Sequence, residues 1–350
     1  MTPNLNCSLP VSILQPNVRT AALRTSKNSR AVSEPSRPVH PVVPCRVPAP
    51  PPDIAVQEIA VAESIEIMNK KELIAALESL GMRPGRGLGQ NFLLDGNLLD
   101  WIIRNSGAQS GDNVLEVGPG FGALTEKMVD AGFNVTAVEF DHRLAEYLRK
   151  KFNGRENFKL IEADACKVDF DELFPVGTPY RAVANLPYAI SSVFIARMLD
   201  CSNQPESMFF MLQKEMGERL AAACATKAYG ALSVRTQLFY DVNIEKIVPP
   251  QVFCPPPEVD SALVSFHLNH SSRLDLQTGK VFSQLVRALF NQRRKQIGKL
   301  LGQLLSSRES TAQILEQCSL TPDLRPDKLT VSDYIKLAEA VTAANHSIKG

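Results

Sequence analysis

Short apolar and β-branched runs recur through the middle of the chain, each followed by glycine or polar residues and then by a stretch with helical spacing. Asn113–Val117, Asn134–Val138, Phe158–Ile161, Tyr180–Ala184 and Ser207–Gln213 predict buried strands. Between them, the pattern predicts helices over about Asn97–Asn105, from the Gly118–Gly122 turn to about Val129, over Ser191–Leu199 and over Lys214–Ala223. This alternation of strand and helix is the signature of an α/β sheet. Gln237–Val248 and Ser261–Leu268 predict the last strands, and the intervening 249–257 stretch is too proline-rich for a ladder or a helix. From Lys280 the spacing is helical to the end, over Val281–Leu301, Ser310–Gln317 and Val331–Ala343. Ahead of the sheet, a helix around Lys70–Leu80, closed by Gly81, reads as an appendage.

Length and composition add bounds. At 350 residues and 44% hydrophobic content, the chain can fill one large α/β core and a smaller companion. Its apolar runs fall short of the roughly 18 to 20 residues of a membrane span, so no membrane is expected. Seven scattered cysteines without a Cys-x-x-Cys pair, and five histidines not clustered near them, point to a reducing compartment and no metal site.

The formal charge of +1 conceals an asymmetry. Residues 1–55 carry Arg19, Arg24, Lys27, Arg30, Arg37 and Arg46 against Glu34 and Asp53, a surplus of four that leaves the rest of the chain at −3. Nucleic-acid binding must therefore rest on a local patch. The 1–55 segment is basic, hydroxylated, proline-rich and without a compact apolar stretch, which reads as a disordered organellar transit peptide. The plainer alternative is an unstructured nuclear or cytosolic tail. Its prolines disfavour the amphipathic helix of a mitochondrial presequence, so the chloroplast is the expected address and the mitochondrion the alternative. The reading divides the chain into this leader, a linker and helix over 56–82, an α/β domain over 83–270 and a helical domain over 271–350.

The candidate chemistry lies at strand ends. Asn185-Leu186-Pro187-Tyr188 follows a predicted strand, and ligands of open α/β sheets bind beyond the carboxyl ends of the strands. The Asn185 side-chain carbonyl can accept from an exocyclic amine, Pro187 can hold a main-chain carbonyl towards it, and Tyr188 offers a stacking face. Taken alone, the four residues are equally an ordinary turn. Gly118, Gly120 and Ala123 satisfy a dinucleotide fingerprint, whereas Gly118, Gly120 and Gly122 satisfy a methyltransferase loop, so the stretch says only that a nucleotide-like cofactor binds. Glu139 stands about twenty residues on, where a carboxylate accepts from ribose hydroxyls. Asp164, after the next strand, can accept from an adenine amino group. Each acid alone is more simply a solvated strand end. The glycine-rich stretch 85–89 with Gln90, Asn91 and Leu93 can approach a zwitterion or can serve as a flexible arm. Phe253, in the proline loop, is either a second stacking face or a plug under the loop. Arg287, Arg293, Arg294, Lys295 and Lys299 occupy a predicted helix with no acid between Val281 and Gly302, which favours phosphate contacts over a solvated face.

These stretches together resemble a known family. Leu88-Gly89-Gln90-Asn91-Phe92-Leu93, Glu116-Val117-Gly118-Pro119-Gly120, Val138-Glu139-Phe140-Asp141, Asp164-Ala165, Asn185-Leu186-Pro187-Tyr188, the Phe253-centred proline loop and Phe290-Asn291-Gln292-Arg293-Arg294-Lys295 are similar to the ribosomal RNA adenine N6-dimethyltransferases of the small ribosomal subunit. The resemblance runs from about Gly85 to Ala343. It implies a Rossmann-like, seven-stranded S-adenosylmethionine-dependent methyltransferase sheet with a last antiparallel strand, followed by a small helical domain. By position, it implies that Gln90, Asn91 and Leu93 contact the methionine end of S-adenosylmethionine, that Gly118 and Gly120 line its loop, that Glu139 holds the ribose and that Asp164 reads the adenine. Asn185 touches cofactor and target, Leu186, Pro187 and Tyr188 complete the catalytic loop, Tyr188 and Phe253 hold the flipped base, and Arg293, Arg294 and Lys295 bind RNA. The implied reaction is dimethylation of two adjacent adenosines in a 3′-terminal hairpin of 16S-type RNA. The implied partner is an assembling 30S-type particle, met by a monomer. A non-catalytic assembly factor, a methylase acting on another RNA and a nicotinamide dehydrogenase are the alternatives. Ala189 stands where a polar residue is frequent in relatives, which leaves that loop's detail open.

Overall fold

The computed structural model describes residues 68–82, 91–269, 274–305 and 307–344. The 1–55 leader, the linker up to residue 67 and the glycine arm with Gln90 lie outside the described residues.

Helix α1 (Lys70–Ser79) starts at Asn69, whose side chain accepts from the Lys71 and Glu72 N–H groups while the Glu72 carboxylate accepts from Asn69 N–H at 2.8 Å, a reciprocal cap. There follow β1 (Phe92–Leu93), α2 (Gly96–Asn105), β2 (Asn113–Val117), α3 (Ala123–Asp130), β3 (Asn134–Glu139) and α4 (His142–Lys151). The alternation continues with β4 (Phe158–Glu162), α5 (Phe170–Leu173), β5 (Arg181–Asn185), α6 (Ser191–Met198) and β6 (Ser207–Gln213). The chain then forms α7 (Lys214–Leu220), α8 (Ala231–Phe239), β7 (Tyr240–Val248), β8 (Phe253–Cys254) and β9 (Ser261–Leu268). It ends in α9 (Leu276–Phe290), α10 (Ile297–Leu305), α11 (Arg308–Gln317) and α12 (Val331–Ala343).

Seven strands pair in the order β4-β3-β2-β5-β6-β9-β7. The first five are parallel neighbours, whereas β9 runs antiparallel to β6 and β7 antiparallel to β9. Both faces are covered, as strand β6 shows. Met208, Phe210 and Leu212 enter one apolar cluster with α6, and the alternate residues Phe209 and Met211 enter another with α2 and α3. Strand order reverses between β2 and β5. The crevice beyond the carboxyl ends of these two strands is thus the place where such a sheet binds its ligand.

Several sequence expectations change. Residues 231–239 form a helix where a strand from Gln237 was expected, because Val234 and Leu238, one helical turn apart, bury against the C-terminal helices. Gln237 caps the preceding helix, donating to the Leu220 and Ala222 carbonyls at 2.9 Å each. The core of the helical region accordingly does not begin at residue 271: Ala222, Tyr229, Val234 and Leu238 pack in it with Phe282, Leu285 and Tyr334. The proline loop, expected to be irregular, contains β8, which pairs Phe253 with Leu93 and Cys254 with Phe92. The predicted Val281–Leu301 helix is two helices, so Arg293, Arg294 and Lys295 sit in a turn. The second helix starts against the Pro322 turn: at Gly298 an added Cβ would lie 2.5 Å from the Pro322 Cβ. That close approach lets the Ile297 and Gly298 N–H groups donate to the Leu324 and Pro322 carbonyls at 2.8 and 3.0 Å, satisfying the start of α10 from outside the helix.

Candidate active site

Beyond the reversal point lies a cavity of about 330 Å³, lined from all the strand ends at which the sequence placed chemistry. Asn91, Leu93, Gly118, Gly120, Glu139, Asp164, Asn185, Leu186, Pro187 and Tyr188 all face it. Helix α1 is not a detached appendage, because Leu73, fully buried, and Met68 contribute to the same wall.

The glycine loop after β2 meets the Asn-Leu-Pro-Tyr loop after β5 directly. Gly118 has φ +69°, and a Cβ there would stand 3.0 Å from Pro187 Cγ. Gly120, at φ +60°, approaches Phe92 equally closely. Both positions need glycine twice over, for the left-handed backbone and for the space. Glu139, 5% exposed, ties this loop to the end of β3. Its Oε2 accepts from Gly120 N–H at 3.3 Å, and its Oε1 accepts from the Phe140 and Asp141 N–H groups at 2.9 Å each. Burial raises the Glu139 pKa, and these three backbone donors oppose the rise. Asp164 accepts from Cys166 N–H at 2.9 Å and pairs with Lys167 at 3.3 Å, which fixes its carboxylate at the β4 end of the cavity.

Asn185 is held by one hydrogen bond that decides its chemistry. Its Nδ2 donates to the Asn91 carbonyl at 3.0 Å, so the amide presents Oδ1 as the acceptor. In the same loop, the Pro187 carbonyl accepts from Ile190 N–H and the Tyr188 carbonyl from Ser191 Oγ, each at 3.1 Å. The Leu186 carbonyl takes no part in these bonds, while the Leu186 side chain, 1% exposed, anchors the loop in the core. Tyr188 is half-buried and its hydroxyl hydrogen-bonds Ser261 Oγ at 2.6 Å; burial raises its pKa and this bond opposes the rise.

Two residues depart from expectation. Phe253 does not line the cavity: it is 4% exposed and packs with Leu93, Val248 and Leu263. In the extended β8, alternate side chains take opposite faces, so Phe253 enters the sheet core and Cys254 the cluster of α1 and Phe121. The second stacking face expected there is thus a core plug that holds the proline loop against Leu93. Glu116 was not singled out, yet it lines the cavity at 2% exposure and accepts from Thr125 Oγ1 at 2.6 Å. Burial pushes its pKa up to about 8, with the Thr125 bond opposing and the nearby Glu139 charge adding to the rise. An acid inside an otherwise apolar strand was the available signal.

The three residues expected to bind RNA separate as well. Arg293 is half-exposed and committed to the protein, donating to the Lys227 and Thr226 carbonyls at 2.9 and 3.0 Å, whereas Arg294 and Lys295 are exposed.

This arrangement fits S-adenosylmethionine. The two glycines leave the space that side chains would fill, Glu139 offers a buried carboxylate to a diol, Asp164 offers one to an amino group, and Glu116 provides a second buried acid beside a cationic ligand.

Comparison with known proteins agrees with the geometry. Residues 84–343 match the profile of the ribosomal RNA adenine dimethylase family. The ribosomal RNA small subunit methyltransferase A of Ligilactobacillus salivarius is 38% identical over 284 residues, covering 79% of this chain and 96% of that protein. Among solved structures, a dimethyladenosine transferase from Plasmodium falciparum is similar with a TM-score of 0.65 and 26% identity, covering 74% of this chain and 100% of that one. The 23S rRNA methyltransferase ErmE is similar with a TM-score of 0.56 and 25% identity over 72% of this chain and all of that one. With the glycine loop seated on Pro187 and the Asn185 amide oriented by Asn91, the chain belongs to the ribosomal RNA adenine dimethylase family, a family of S-adenosylmethionine-dependent enzymes.

Proposed function

We propose that this enzyme dimethylates N6 of two adjacent adenosines in a 3′-terminal hairpin of small-subunit, 16S-type ribosomal RNA, acting on an assembling 30S-type particle and contributing to its biogenesis. The observation that carries the reading is the commitment of the Asn185 Nδ2 to the Asn91 carbonyl. It leaves Oδ1, with the neighbouring Leu186 carbonyl, as a pair of acceptors suited to an exocyclic NH2 group.

When bound, S-adenosylmethionine supplies a methyl group activated on a sulfonium. The protein's task is to present a poor nucleophile correctly. The N6 lone pair is delocalised into the adenine ring, and accepting both N6–H bonds at Asn185 and Leu186 favours a pyramidal nitrogen. No strong base is required, since the nitrogen sheds its proton readily after transfer. The base must first leave its stack, and Tyr188, tethered to Ser261, is the face against which it rests. After the first transfer one N6–H remains for the same acceptors, so a second round needs only room for one methyl.

The test is methylation of undermethylated small subunits and, in parallel, of large subunits with radiolabelled cofactor, followed by identification of the modified base. Dimethyladenosine at paired sites near the 3′ end is the expected result. Label in large-subunit RNA alone, as the likeness to a 23S rRNA methyltransferase allows, would overturn the substrate assignment. Particle binding without any methyl transfer would make the chain an assembly factor instead.

The address belongs to the same proposal. The surplus of four positive charges in residues 1–55, with their proline and hydroxyl content, supports a chloroplast transit peptide.

A further inference from the structure

The three basic residues at 293–295 do not share one role. Arg293 is half-exposed, and its guanidinium donates to the Lys227 carbonyl through Nη1 at 2.9 Å and to the Thr226 carbonyl through Nη2 at 3.0 Å. The same Nη2 lies 3.8 Å from an Asp327 carboxylate oxygen. Asp327 is joined to the same loop from its other side, its main-chain carbonyl accepting from Ala225 N–H at 2.8 Å. Ala225 is held at φ +69°, a left-handed conformation unfavourable for a residue with a Cβ, so the 223–228 loop, closed internally by Thr226 donating to the Ala223 carbonyl, also relies on its surroundings to keep this shape. The Asp327 turn is itself anchored, with Tyr334 Oη donating to the Pro326 carbonyl at 2.9 Å.

Three segments distant in sequence therefore converge on one guanidinium: the loop between α7 and α8, the turn between α9 and α10, and the turn before α12. Each carries exposed cations. Lys227 lies on the first, Arg294 and Lys295 on the second, Arg325 and Lys328 on the third. Against them, Asp323 is the exposed acid of these segments, and the Asp327 carboxylate is taken by Arg293.

We propose that Arg293 is a positioning residue and not a phosphate ligand: it brackets the 223–228 loop against the Asp327 turn and so gathers Lys227, Arg294, Lys295, Arg325 and Lys328 into one surface for an RNA phosphodiester backbone. Only arginine suits the task, because its fork reaches two carbonyls and a carboxylate at fixed angles, whereas a lysine ammonium is a point charge on a flexible stem. The surface spans the join between the methyltransferase sheet's α7 and the helical region, and RNA held there is held by both. The inference rests on the RNA substrate proposed above.

The test uses the full chain and undermethylated small ribosomal subunits, with binding measured across a salt series. Arg294→Gln and Lys227→Gln should each flatten the dependence of log affinity on log salt by about one, as loss of one phosphate contact does. Arg293→Gln should flatten it by a similar amount, and Arg293→Lys should do the same although it keeps the charge. The double variant Arg293→Gln/Lys227→Gln should lose no more slope than either single variant, because releasing the loop and removing its cation are one event. Affinity for S-adenosylhomocysteine should stay unchanged throughout. A normal slope for Arg293→Lys, or an additive loss in the double variant, would show Arg293 to be a phosphate ligand and overturn the proposal. A lowered Tm with an unaltered slope for Arg293→Gln would reduce it to a structural prop and equally overturn it. Should the Arg293 variants not fold, Lys227→Gln/Arg325→Gln tests the gathered surface directly, and an unaltered slope there sinks it. If the unsubstituted protein binds the particle without salt dependence, the RNA reading itself fails, a result distinct from all of these.

Discussion

Asn185 shows how a residue's chemistry becomes specific only when its second hydrogen bond is known. An asparagine at a strand end is an acceptor or a donor until the Asn91 carbonyl claims its Nδ2. Asn185→Ala should leave cofactor binding weakened but measurable and lower methyl transfer by on the order of 100-fold or more, since the lost acceptor matters mainly in the transition state. Near-normal turnover with intact cofactor binding would remove this role. The residues legible beforehand, Gly118, Gly120, Glu139, Asp164 and Asn185, are those whose type alone carries the chemistry at a strand end. Glu116 was hidden because an apolar strand absorbed it. Its consequence is a pH-dependent strain in the ligand-free protein. The fold favours the protonated carboxyl, so no penalty applies below its ordinary pKa of 4.5, and the penalty grows as the pH rises towards the buried value of about 8. Glu116→Gln keeps the acceptor for Thr125 and removes the charge. Its stabilisation, measured as a gain in Tm, should be small near pH 5 and should increase up to pH 8, to a few kcal/mol at most by the ~1.4 kcal/mol that accompanies each pKa unit. A gain independent of pH would contradict the assignment.

The inner strands of the parallel sheet were readable from their runs alone, since burial on both faces demands continuous apolar sequence and permits little else, whereas β4, expected to be buried, is the half-exposed edge strand. Strand β6, Ser207–Gln213, has the predicted limits. Elements set by partners far away in sequence were not readable. Nothing local in Phe253-Cys254 reveals that Phe92-Leu93 will pair with it, and the helical spacing of Val234 and Leu238 is too short a pattern to overrule the strand that follows. The start of α10 belongs to the same class, because Gly298 looks like a tolerated helical glycine until Pro322 is placed against it. Gly298→Ala puts a methyl group 2.5 Å from the Pro322 Cβ and 3.0 Å from its carbonyl oxygen. A substitution that raises intrinsic helix propensity should here destabilise, by about 1–3 kcal/mol in chemical denaturation, as overpacking does. An increase in stability would mean that the Pro322 turn yields freely.

At the scale of the whole molecule, the chain separates into a basic leader and a body that carries the family's match. With the leader's surplus of four charges set aside, the remainder is at −3, so the body's attraction for RNA must come from the arrangement of a few cations and not from its net charge. On the proposed transit-peptide reading, the charge of residues 1–55 belongs to delivery and not to RNA binding. The profile match begins at residue 84, the α1 cap forms at Asn69, and α1 supplies Leu73 to the cavity wall, so the body requires its chain from about the start of α1 onwards. Removing residues 1–55 should therefore leave the Tm, the affinity for S-adenosylhomocysteine and methyl transfer to isolated small subunits close to those of the full chain. Fusing the same residues to a fluorescent reporter should carry it into plastids, because a basic, acid-poor, proline-broken segment has the character of a transit peptide without the helix of a mitochondrial presequence. The two measurements are independent. Delivery of the reporter to mitochondria, or its retention in the cytosol, would overturn the address and leave the chemistry standing. A truncated protein that folds normally but no longer transfers methyl groups would place part of the working enzyme in the leader and overturn the division itself.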